Sequence, residues 1–307
     1  MNVREFSGSS AEIRSYGPSR DGAARVKWRT FDGVRVSALA VGCSRVGSIS
    51  NSTPMREIEA TLEAAVEAGI NIFDTADIYG QGDSERTLGR LLRRHPDDVF
   101  VVTKVGGRHG RYAAAAQFAK PLLRALVRSR RGVRDAVVAA RTASVVHDFS
   151  PADLRPAVEA SRRRLGLDQL HGLLLHSPSS ATLRKPEIHE FLDEMLASRT
   201  AARIGASVDT LEALEAAASV PSLTLIQAPL DIVRALEGTP VLDTLRRRGV
   251  ALFVREILRK PGHGTDDPRP ASAAEALSAA LAPDFVTSAI VGVSSRSHLA
   301  ELLRAVA

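Results

Sequence analysis

The chain has 307 residues, a net charge of +6 and 44% apolar residues, enough to bury one large core. No apolar run approaches the roughly eighteen residues of a membrane helix. Its pI is near 10.0, yet its aromatics are only 4% and its lysines occur only at positions 27, 104, 120, 185 and 260, which argues against a nucleic-acid-binding surface. The single cysteine, Cys43, rules out an internal disulfide, lies in an apolar run and fits a reducing cytoplasm.

Residues 1–25 are polar, rich in Ser, Gly and Arg, and lack the apolar stretch of a secretory signal; they are expected to form a flexible extension before a barrel over residues 26–307. Val26–Phe31 and Val34–Ser37 flank Asp32-Gly33, a two-residue hairpin signal, and such a hairpin can plug the bottom of a barrel. Eight short runs rich in Val, Ile or Leu follow: Ala38–Cys43, Asn71–Ala76, Phe100–Val105, Leu170–His176, Ala202–Val208, Thr224–Leu230, Ala251–Ile257 and Ser288–Ser294. Their near-continuous apolar character predicts parallel strands buried on both faces.

Amphipathic segments alternate with these runs. Pro54 opens one that stops at Gly69, and Ser84–Leu92 forms the next with Asp83 as its expected N-cap. Ser150-Pro151 opens a third that ends at Gly166, and Glu187–Ala197, Thr210–Ala218, Pro240–Arg248, Ala271–Leu281 and Ser297–Val306 complete the set. Strand-helix alternation with short connections predicts a (β/α)8 TIM barrel, with a doubly wound open sheet as the alternative. Gly106–Phe149 interrupts the rhythm as a long insertion after the third barrel strand, containing a helix-like stretch over Ala113–Val127, and is expected to lie over the C-terminal face as a lid or substrate-shaping loop.

Strand ends carry the chemistry. Asp74 lies near the end of the second barrel run and Tyr79 follows it; Lys104 is near the end of the third, and His176 closes the fourth. A barrel brings such positions together on its C-terminal face. Tyrosine, with an ordinary pKa of about 10, can donate a proton to a carbonyl oxygen near neutrality. A lysine beside it favours phenolate, an aspartate compensates that lysine, and a neutral histidine orients the carbonyl. Neither Gly80-Gln81-Gly82 nor Gly106-Gly107 completes a phosphate-loop pattern, so both are read as tight turns, and the remaining histidines lack metal-ligand spacing, so no metal is expected.

The stretch from Gly69 to Gly80, with Ser84-Glu85 and Leu88-Gly89 after it, resembles the strand-two signature of the aldo-keto reductases. Val101–Lys104 resembles their lysine strand, and Leu173–His176, preceded by Ser161–Asp168, resembles their histidine strand. The resemblance runs from about Val26 to the C-terminus and is weakest over Gly106–Val146. It implies Asp74, Tyr79, Lys104 and His176 as a catalytic tetrad, with Tyr79 the acid in carbonyl reduction. It further implies that Ser207 and Gln227 hold the nicotinamide carboxamide, and that Gly292, Ser294, Ser295, Arg296 and Glu301 grip the adenosine phosphate end, with Arg255 at the close of the seventh run.

A serine pair before a helix is an anion site, and Arg296 suits a 2′-phosphate, which favours NADPH over NADH. Departures from the pattern are Val208 where asparagine often follows the serine, Asp231 where a neutral amide is usual, and Leu302 where asparagine often neighbours the adenine. The expected partner is a small-molecule carbonyl compound, without nucleic acid or membrane. Two other functions fit parts of the pattern: a Schiff-base lyase using Lys104 as nucleophile, and a cofactor-sensing subunit that keeps the fold.

Overall fold

The structure, a computed structural model, describes residues 26–48, 51, 53–109, 145–258, 272–293 and 295–306. The expected N-terminal extension, the centre of the long insertion and the loop over residues 259–271 lie outside the described residues, as does Ser294.

Trp28–Phe31 (β1) and Val34–Ser37 (β2) pair antiparallel, with Asp32 and Gly33 both in the left-handed region at the turn. The barrel strands are Leu39–Gly42 (β3), Ile72–Asp74 (β4), Phe100–Val105 (β5), Gly172–His176 (β8), Ile204–Ser207 (β9), Leu225–Pro229 (β10), Ala251–Arg255 (β11) and Ser288–Gly292 (β12). They close in sequence order, β12 pairing β3, and all pairs are parallel. The remaining short strands, Gly107–His109 (β6) and Val145–His147 (β7), form an antiparallel pair at the base of the insertion.

Helices α1 (Met55–Glu67), α2 (Asp83–Arg94), α3 (Pro151–Leu165), α4 (Ser180–Leu183), α5 (Pro186–Ala197), α6 (Leu211–Ser219), α7 (Leu230–Arg234), α8 (Pro240–Arg247), α9 (Ala273–Leu281) and α10 (Arg296–Val306) connect the strands. One cap differs from expectation. Gly82, at φ 86°, precedes α2 as its N-cap, and Asp83 starts the helix, where its charge meets the positive end of the helix dipole.

Side chains alternate across each strand, and the alternation sorts the barrel interior into layers. The lower layer is apolar: Ala40, Ile72, Phe100, Val102, Leu174, Leu225, Phe253 and Ile290 pack together with Phe31, Val34 and Val36 of the hairpin. Phe31 meets Phe100 and Phe253 edge-on, with ring centroids 6.2 and 5.9 Å apart, so the hairpin seals the bottom as expected. Two residues further along the strands the character changes. Gly42, Asp74, Lys104, His176, Ser207, Gln227, Arg255 and Gly292 follow the apolar layer toward the C-terminal mouth. A second, larger core fills the space between the outer strand faces and the helices, and includes Cys43, whose thiol burial pushes far above its usual pKa.

Gly205 marks the tightest approach in the wall. A Cβ there would stand 1.9 Å from the Leu225 carbonyl oxygen of the neighbouring strand, so only glycine lets β9 lie at this spacing.

Candidate active site

Asp74 ends β4, and the chain then turns through Tyr79–Gly82, a single 3-10 turn. Gly80, Gln81 and Gly82 all have positive φ, and a Cβ on Gly80 would stand 2.7 Å from the Val46 carbonyl oxygen. This turn folds Tyr79 back over the strand ends. Behind it, Thr75 and Ser84 share a 2.7 Å hydroxyl contact, and Ser84 donates to the Cys43 carbonyl. Glu85, fully buried, accepts from Thr103 and from Arg164, both at 2.6 Å. These bonds fix α2 against β4 and β5, and with it the loop that carries Tyr79.

Lys104 is 1% exposed on β5, and its Nζ donates to Asp74 Oδ1 at 2.6 Å and to the Thr75 carbonyl at 2.9 Å. Burying an ammonium is costly unless it is paired, and here both donations are made. Burial pulls the Lys104 pKa down, but Asp74 and Tyr79 together outweigh it and hold the ammonium above its ordinary value. The Tyr79 ring lies over Lys104, with Nζ 5.1 Å from its centroid. Burial pushes the phenol above its ordinary pKa while Lys104 pulls against it.

His176 meets Tyr79 edge-on, with centroids 5.8 Å apart. Burial, and after it Lys104, His147 and Arg255, hold the imidazole well below its ordinary pKa, so it is neutral at pH 7. Three strand-end residues and the Tyr79 turn therefore come together: a buried ion pair, a phenol beside it and a neutral imidazole edge-on to the phenol.

Ser207 and Gln227 stand in the same layer. Ser207 Oγ donates to Gln227 Oε1 at 2.7 Å, and Gln227 Nε2 donates to Asp74 Oδ1 at 2.8 Å. Arg255 donates to the Val208 carbonyl at 2.8 Å and pairs with Asp209 and Glu256, so it spans β9 and β11 at the rim. Ser295 caps α10 through the His298 amide at 3.2 Å, and Arg296 donates to the Ala60 carbonyl of α1 at 3.3 Å. Glu301 lies half-buried on α10, while Leu302 is fully buried in the outer core. The departure at Leu302 is thus a packing residue.

Two groups near the site carry no sequence signal of their role. Asp77, in the loop before Tyr79, has an Oδ1 sealed from water without a partner; burial and the Glu85 carboxylate push its pKa up to about 7. His147, at the end of β7, places its ring against His176 with centroids 6.3 Å apart. The β6–β7 pairing that delivers it joins segments far apart in sequence, and no pattern within either segment announces it.

The closed barrel with this mouth is the architecture of a barrel oxidoreductase. The sequence model of the Aldo/keto reductase family matches residues 38–269, and the chain belongs to that family. It is similar to D-threo-aldose 1-dehydrogenase from a Pseudomonas species, 32% identical over 205 residues, a match covering 63% of this chain and 56% of that protein. It is also similar to pyridoxal 4-dehydrogenase from Microbacterium luteolum, 25% identical over 245 residues, covering 73% of this chain and 68% of that one. The solved structure of an aldo-keto reductase from Klebsiella pneumoniae in complex with NADPH superposes with a TM-score of 0.61 at 21% identity, covering 92% of this chain and 89% of its own. At that identity the likeness concerns the fold.

Membership implies a nicotinamide cofactor, and the residues present fit one. Ser207 and Gln227 offer a buried hydroxyl and amide at the mouth. At Gly292 an added Cβ would meet no described atom within 4 Å, which leaves the end of β12 open beside the capped start of α10. Among the described residues no helix is long and apolar enough to cross a membrane.

Proposed function

We propose that the protein is an NADPH-dependent oxidoreductase that interconverts an aldehyde or ketone with its alcohol, with Tyr79 as general acid in reduction. The observation that carries this reading is the buried Lys104–Asp74 pair, 2.6 Å long, lying against the Tyr79 ring, which His176 meets edge-on. When bound, the reduced nicotinamide supplies the hydride for the carbonyl carbon.

This chain's residues supply everything on the oxygen side. Burial keeps the Tyr79 phenol protonated at neutral pH, so it can give its proton to the oxygen as negative charge develops there. His176, held neutral, donates a hydrogen bond from a ring N–H to the same oxygen and aligns it without bringing a full charge. Lys104 stabilises the phenolate that remains, and Asp74 balances the lysine. In oxidation the order reverses, and the phenolate takes the alcohol proton.

Ser207 and Gln227 would hold the carboxamide end of the cofactor, with Val208 offering no amide beside them. Gly292, Ser295, Arg296 and Glu301, with Ser294, would hold the adenosine phosphate end, and Arg296 would favour the 2′-phosphate. The Klebsiella structure of the same fold holds NADPH, in keeping with this choice. Arg255 would act at the rim, where its pairs with Asp209 and Glu256 hold it in place. The relatives named as dehydrogenases of an aldose and of pyridoxal support a small oxygenated aldehyde or its alcohol as substrate. A Schiff-base role for Lys104 is disfavoured, because a nucleophilic amine needs a lowered pKa and this one is raised.

The test is Tyr79→Phe, assayed for carbonyl reduction and titrated with NADPH by calorimetry. The expected result is a loss of about 100-fold or more in kcat with cofactor affinity unchanged. Turnover at the parent rate would remove Tyr79 as the acid, and absence of NADPH binding to the parent protein would overturn the cofactor assignment.

A further inference from the structure

The rings at the mouth form a row. Tyr79 meets His176 edge-on at 5.8 Å, His176 meets His147 edge-on at 6.3 Å, and His147 stacks on Phe149 at 6.0 Å with 9° between the planes. The first two rings are those that take the reacting oxygen under the proposed function, on which this inference rests. The third comes from β7, at the root of the insertion, and differs from its neighbour in one respect. His176 is half-buried, whereas His147 is exposed at the rim.

No described residue exchanges a hydrogen bond with either nitrogen of His147, and the Phe149 stack holds the ring's face, leaving its edge for a partner. Gly106 permits this arrangement. It has φ 103°, and a Cβ there would stand 2.4 Å from the Phe149 ring that backs His147. Gly107, next along, lets the hairpin close down on Ile78 and His176; a Cβ there would already be 3.3 Å from Ile78 and 3.5 Å from His176 Nδ1. The hairpin is thus fitted to the mouth, and it places the imidazole beside the group that orients the carbonyl.

We propose that His147 is a specificity-determining residue that binds a hydroxyl on the carbon next to the reacting carbonyl, selecting α-hydroxy carbonyl compounds and the corresponding diols. With the reacting oxygen held by Tyr79 and His176, as the proposed function requires, substituents one carbon away would face the next ring in the row. An imidazole carries one donor and one acceptor when neutral, which matches a hydroxyl and offers nothing to a hydrocarbon chain. A site built to bond a hydroxyl discriminates against the analogue lacking it, because its own polar groups are then left without that partner.

The experiment compares glyceraldehyde with propanal as substrates for NADPH-dependent reduction by the parent protein, His147→Phe and His147→Gln. Phenylalanine keeps a flat ring for the Phe149 stack and removes the hydrogen bond; glutamine keeps a donor and an acceptor. His147→Phe is expected to lower kcat/KM for glyceraldehyde about 10- to 100-fold, mostly through KM, while propanal changes less than about twofold. His147→Gln is expected to recover part of the preference. Equal losses on both aldehydes in His147→Phe, or an unchanged preference, would overturn the assignment of His147 and leave the reductase reading standing. Failure of the parent protein to reduce either aldehyde while binding NADPH would overturn both.

Discussion

Gln227 donates to Asp74 from the opposite wall of the barrel: β10 and β4 are separated by three strands on the β5 side and by three on the β3 side, and their side chains meet at 2.8 Å. The oxygen that Gln227 reaches is the one that also receives Lys104. The bond crosses the floor of the site and links the carboxamide-binding pair to the ion pair beneath Tyr79.

Removing this carboxylate has a structural cost that can be measured. Asp74→Ala would leave the Lys104 ammonium buried with only the Thr75 carbonyl, and would strip Gln227 of its acceptor. Losing one partner of a buried pair costs about 3–5 kcal/mol. Gln227→Met should cost about 1–3 kcal/mol, since it leaves Ser207 without its acceptor. Because both side chains act on one oxygen, the double variant should lose less than the sum. Urea titrations at pH 7 test this. Additive losses would show that the bond across the barrel carries no coupling.

Much of this site was legible from residue order, and the reason is the barrel's periodicity. Several strands step two residues from an apolar position to a polar one at the mouth, as in Ile72 to Asp74, Val102 to Lys104 and Leu174 to His176. Short Val- and Leu-rich runs therefore revealed the strands and the height of the chemistry together. What stayed hidden depends on contacts between distant segments. The β6–β7 pair that delivers His147 is one case, and the sealing of Asp77 Oδ1 from water is another. At Asp83 the local signal pointed to a cap, but the left-handed Gly82 moved the helix start by one residue.

The pH dependence of reduction follows from opposed influences on Tyr79. Burial raises the phenol's pKa and Lys104 lowers it, with burial the larger. Reduction needs the protonated phenol, so kcat/KM should hold through neutral pH and fall on the alkaline side. His176 adds no fall between pH 6 and 8, because its imidazole is already neutral there. Lys104→Met removes the opposing influence, and the alkaline fall should move to higher pH. Oxidation needs the phenolate, so it should suffer more than reduction, by about 100-fold or greater. Rate profiles in both directions test the point. An alkaline fall that stays in place would mean that Lys104 does not set the phenol's ionisation.

Asp77 makes a prediction of opposite kind, in which a substitution improves stability. Its carboxyl titrates near 3.8 when unfolded and near 7 in the fold, where burial and Glu85 disfavour the charge. A group whose pKa is raised on folding supports the fold fully below its unfolded value, and that support is lost as pH rises through the folded value. At pH 8 the wild-type chain therefore carries a buried carboxylate with one oxygen unpartnered. Asp77→Asn keeps the shape and stays neutral throughout. Thermal unfolding should show the variant gaining on the parent protein as pH rises from about 4 to 7, at up to about 1.4 kcal/mol per unit, with the gain levelling off above pH 7. A stability difference that is the same at pH 5 and pH 8 would mean that Asp77 keeps an ordinary carboxylate pKa in the fold, paired with a neighbour such as Arg164.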